Sequence, residues 1–169
     1  SYYFSSVMTA FEIPLVFSDD QDPLFLRERE LFKMIPVLVR SVESSHPNWE
    51  NQDTVVSDKV SVPFKREVAE FIFSHLREYD VIDDSKLAIE KFVDADQKGL
   101  YELKEILECA NYFECQPFMN CIGFVIAKKL DTKSIEEIAD FFGVRPEAEG
   151  KWFDEDDGWL HPPAEVFQG

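Results

Sequence analysis

The chain has 169 residues, with 17 Lys and Arg against 34 Asp and Glu, for a formal charge of −17. A surface this acidic repels phosphate and sets aside nucleic acid and anionic membranes as partners. No run reaches the roughly 18 apolar residues of a membrane span, and the length fits one domain or one domain with a tail.

Phe11, Ile13, Leu15 and Phe17 alternate with Glu12, Pro14 and Val16, which is the period of a strand. Pro14 cannot donate to a ladder, so this strand is expected at an edge or with that position turned outward. Ser18-Asp19-Asp20-Gln21-Asp22 reads as a turn, and 23–26 as a second strand that closes a hairpin. Leu31, Met34, Ile35, Leu38, Val39 and Val42 keep a helical period, but Pro36 interrupts it. A proline inside a helix costs about 3 kcal/mol. Two helices are therefore predicted, one over 27–34 and one opening with Pro36 in its first turn.

Residues 44–58 are polar and read as a loop, and Val60-Ser61-Val62 as a third short strand ended by Pro63. A helix is expected over 65–78, with Val68, Phe71, Ile72, His75, Leu76 and Tyr79 on one face. His75 in that company reads as a satisfied histidine of the core or its rim. After an acidic break at 80–84, short helix is expected over 86–93. A longer helix is expected over 100–111, with Leu100, Leu103, Leu107 and Ala110 in register. Helices over Gln116–Leu130 and 134–142 follow. Pro117 opens the first, Ser134 and Glu137 form a capping box for the second, and Gly143 ends it. Both carry more apolar side chains than one core needs, which suggests a surface covered by another protein. Strands first and helices after argue for an α+β fold.

Few motifs carry chemistry. Asp94-Ala-Asp96-Gln-Lys98-Gly99 resembles the start of a calcium loop, with Glu105 at the twelfth position. Lys98 puts an ammonium where oxygen is needed, and Tyr101 takes a place usually held by a small aliphatic residue. The segment therefore reads as a junction between helices. Cys109, Cys115 and Cys121 recur every six residues, about 240° of helical rotation, so neighbours do not share a face. They are expected to be reduced thiols in a cytoplasmic and nuclear protein. Three scattered histidines, no nucleophile signature and no glycine-rich phosphate loop point away from an enzyme, and no cofactor or metal is implied. Beyond Glu147 the chain is acidic and aromatic, and Trp152 or Trp159 is read as packing on a partner or on the domain's own helices.

With these elements placed, the chain resembles the S-phase kinase-associated protein family, adaptors that bridge F-box proteins to a cullin in ubiquitin ligases. The resemblance is carried by Ala110-Asn111-Tyr112, the apolar helix after it, the Lys133 turn, then Glu136-Glu137-Ile138 and Phe142. Val60–Val62 with the helix after it, and the break at Ile35-Pro36-Val37, add weaker support. The resemblance implies a BTB/POZ fold over 11–113, with a small three-stranded sheet packed on helices. It further implies F-box-binding helices over 114–145 and an acidic aromatic tail over 146–169. Asn111 and Tyr112 are the implied cullin contacts. Leu103, Met119, Ile122, Ile126, Ile138, Phe142 and Trp159 are the implied F-box contacts. The pattern departs near Lys104 and Glu105, where about three extra residues intervene, and at Ile135, where the family has proline. The alternative is an assembly protein of the same fold that serves outside ubiquitin transfer or pairs as a homodimer.

Overall fold

The computed structural model describes residues 9–81, 83–143, 153–154 and 159–160. Strand β1 (Phe11–Phe17) is the centre of a small sheet rather than its edge. It pairs antiparallel with β2 (Leu24–Leu26), and Pro14 lies opposite Phe25. Two helices follow, α1 (Arg29–Lys33) and α2 (Pro36–Glu43), with Pro36 in the first turn of α2. The break falls where the proline ring would otherwise clash with the preceding turn.

The chain then returns to β1 twice on its other side. β3 (Thr54–Val55) runs parallel to Phe11 and Glu12, and β4 (Val60–Val62) runs parallel to 15–17. The sheet thus has four strands where the sequence suggested three. The added strand lies inside 44–58, read above as loop. Its two residues are too few to show a period, and it is fixed by distant partners. Arg29 does much of that fixing. Its guanidinium donates to the carbonyls of Thr9, Ala10, Trp49 and Gln52 at 2.8–3.1 Å and lies over the Phe11 ring.

The remaining helices are α3 (Arg66–His75), α4 (Val93–Asp96), α5 (Leu100–Phe113), α6 (Gln116–Leu130) and α7 (Ile135–Phe142). The stretch expected as one helix over 86–93 is instead a 3₁₀ turn at Ile89–Phe92 that runs into α4. α5 ends at Glu114 in the left-handed region, φ 62°, and α7 at Gly143, φ 71°. Glu114 has a Cβ where this C-cap position favours glycine. In α7 the Ser134 hydroxyl accepts from the Glu137 amide while the Glu137 carboxylate accepts from the Ser134 amide, closing the capping box. In the tail, β5 (Phe153–Asp154) pairs antiparallel with β6 (Trp159–Leu160). Trp152 lies outside the described residues.

One hydrophobic cluster runs from Phe11 on the sheet to Phe141 on α7. Rings make much of it: Phe11, Phe32 and Trp49 pack together beside α1, and Tyr79 stacks on Phe118 with Phe92 edge-on. The Tyr79 hydroxyl accepts from the Ala95 amide, and burial pushes its ionisation above the usual tyrosine range. Tyr79 thereby ties the end of α3 to α4 and α6. Among the described residues, no helix is long and apolar enough to cross a membrane.

Candidate functional site

The F-box side chains implied by the resemblance fall into two groups. Leu103, Ile122 and Ile126 are buried within the chain's own core, so they offer no surface to a partner in this conformation. The apolar excess on α6 has an internal use: Phe118, Cys121, Ile122, Val125, Ile126 and Leu130 all join the core. A helix apolar on most sides is a buried helix before it is a docking helix. Met119, Ile138 and Phe142 are half-buried at the border of that core. For Trp159, what is described is its backbone pairing with Asp154.

Exposed apolar side chains stand at several places among the described residues: Phe25 on β2, Val55 on β3, Val93 on α4, Tyr101 in the first turn of α5 and Ile135 on α7. Ile135 and Ile138 stand three apart on α7, and Ile135 is 40% exposed. Tyr101 on α5 is 63% exposed, and its hydroxyl donates to Asp140 at 3.4 Å. The two helices meet through Phe141, whose ring lies 5.9 Å from that of Tyr101 and under the Lys104 ammonium. Lys104, one of the extra residues noted above, also donates to the Phe141 carbonyl. It therefore serves to seat α7 on α5.

Tyr101 and Ile135 were not singled out in the sequence as contacts. Tyr101 was read only as the wrong residue for a calcium loop, and Ile135 only as a departure from proline. The available signal was positional. On α5, Tyr101 shares its helical face with Glu105 and Glu108, all exposed, while Leu103 lies on the opposite face.

At the other end of α5, Asn111 is exposed and Tyr112 half-buried, its ring 5.7 Å from that of Phe64 after β4. The carboxylates of the calcium-like segment are not brought together. Asp94 faces His75, Asp96 pairs with Lys129, and Glu105 stands on the outer face of α5. His75 has partners at both ring nitrogens, Asp94 at 2.8 Å and the Phe71 carbonyl at 2.8 Å, and it stacks on Phe71. Burial pushes the Cys109 and Cys115 thiols up to about 12, far from nucleophilic readiness.

Compared with known proteins, the chain matches no family model and no curated protein.

Proposed function

We propose that the chain is a non-catalytic adaptor of BTB/POZ architecture, a divergent member of the S-phase kinase-associated protein family that holds an F-box protein and a cullin together. The observation that carries this reading is α5 itself, a single helix exposing Tyr101 in its first turn and Asn111 in its last. Ten residues place them about 15 Å apart along the axis and about 80° apart around it, so they front different surfaces. The F-box would lie on Tyr101, Ile135 and Ile138, bordered by Met119 and Phe142. The cullin would lie on Asn111 and Tyr112. The strand order supports the fold: a hairpin, two helices broken at Pro36, then a strand parallel to the first.

Binding on the α7 face would be driven by apolar burial, about 2.5 kcal/mol for every 100 Å² before ordering costs. Substrate choice would then belong to the F-box partner. Affinity purification with mass spectrometry tests this. An F-box protein and a cullin are expected together, and Asn111→Ala with Tyr112→Ala is expected to lose only the cullin. An F-box protein without any cullin would support the assembly alternative, and neither partner would defeat the proposal.

A further inference from the structure

We infer that the segment 1–8, which lies outside the described residues, docks across the outer face of the sheet and covers Phe25 and Val55. The pairing register defines that face. Ile13, Leu15, Phe17, Leu26, Thr54 and Val62 turn towards the helices and are buried. Glu12, Pro14, Phe25, Val55 and Ser61 turn the other way, because residues paired in register share a face and neighbours along a strand alternate. Phe25 is 39% exposed and Val55 56% exposed, on strands either side of the buried Pro14. A sheet face turned away from the core ordinarily carries polar residues. The charge on this one is closed within it: Arg27 pairs with Glu12 at 3.1 Å and lies over the Phe25 ring.

Size and charge select the occupant. β1 has seven residues. The face is therefore about 14 Å wide and about 23 Å long, roughly 320 Å². A stable dimer buries about 800 Å² on each partner, so this face alone does not hold a second copy. Residues 144–169 carry seven acidic side chains against two basic ones. They would meet Asp22, Asp53 and Asp58, exposed at the strand ends with Lys59 as the cation beside them, and like charge costs affinity. Residues 1–8 meet no such penalty. They carry no charged side chain in a chain that is 30% charged, and five of the eight are Tyr2, Tyr3, Phe4, Val7 and Met8. They lead directly into the sheet beside Val55: Arg29 holds the Thr9 and Ala10 carbonyls, and the Ala10 amide donates to Asp53. Fully extended, eight residues reach about 26 Å, enough for the length of the face.

Phe4→benzoylphenylalanine in the full chain, irradiated and mapped by mass spectrometry, tests this. The expected product is a single chain crosslinked to the peptide carrying Phe25 or Val55. Val55→Glu places a carboxylate on the face and should lower that yield severalfold. Val93→Glu, at an exposed valine on α4, should leave the yield unchanged, with the same circular dichroism for all three proteins. A crosslink between two chains, to a helix or to 144–169 overturns the inference. So does the absence of any crosslink to the sheet, or an equal loss of yield in the two glutamate variants. No F-box protein or cullin enters the test, so the adaptor reading and this inference can each fail alone.

Discussion

Ile126 and Ile138 lie on consecutive helices and were both implied as contacts for the same partner, yet they differ in burial. Ile126 is 7% exposed and belongs to the core cluster, whereas Ile138 is half-buried at its border. Truncating a buried isoleucine to alanine removes its transfer energy and leaves a cavity, for about 2–5 kcal/mol. Ile126→Ala is therefore expected to cost about 3 kcal/mol, or roughly 6–12 °C in Tm for a domain of this size. Ile138→Ala should cost less than about 1.5 kcal/mol in stability. On the partner side the order reverses. Ile138→Ala should weaken a cognate F-box segment about tenfold, equivalent to 1.4 kcal/mol. Ile126→Ala should leave affinity unchanged once the folded fraction is accounted for. Urea unfolding followed by circular dichroism gives the first quantity, and titration calorimetry gives the second. A stable Ile126→Ala protein that binds weakly would refute the assignment of α6 to the core.

Arg29→Met keeps an aliphatic stem but removes the guanidinium over Phe11 and its donors to four carbonyls, and should cost about 2–4 kcal/mol. Hydrogen exchange should then rise first at the Thr54 and Val56 amides, which bond Ala10 and Glu12; uniform exchange would contradict the anchoring role. At Glu114, φ 62° favours glycine, so Glu114→Val should be about 1–2 kcal/mol less stable than Glu114→Gly in the same urea assay. The exposed Arg40 ion pair at that position adds little. Burial in the folded state holds the Cys109 and Cys115 protons to about 12 against the ordinary thiol value of 9.0. Their contribution to stability is thus complete below pH 9 and is lost as pH rises toward 12, by up to about 1.4 kcal/mol per pH unit for each thiol. Urea titrations at stepped pH measure that slope. A flat profile for wild type, or an unchanged slope in a Cys109→Ala, Cys115→Ala variant, would contradict it.

Local signals were legible in the sequence where one residue dictates backbone geometry. Pro36 broke α1 from α2, and Ser134 with Glu137 opened α7. Longer-range features were not. β3 exists because Phe11, Glu12 and Arg29 hold it, and nothing within Thr54-Val55 announces that. The central place of β1 was hidden for the same reason, since Pro14 spoke only for its own missing donor. Counting apolar residues overstated how much of α6 is surface. Those on α6 are absorbed by Tyr79, Phe92 and α5, while the exposed ones on α5 and α7 are fewer and interspersed with carboxylates.

Mixing the purified chain with an F-box protein and a cullin, and weighing the products by analytical ultracentrifugation, tests the proposed bridging role most directly. A single species holding one copy of each is expected. Tyr101→Ser with Ile138→Ser should remove the F-box component alone, and Asn111→Ala with Tyr112→Ala the cullin alone. Mutually exclusive binding of the two partners, or loss of both from either pair of substitutions in a folded protein, would contradict the account.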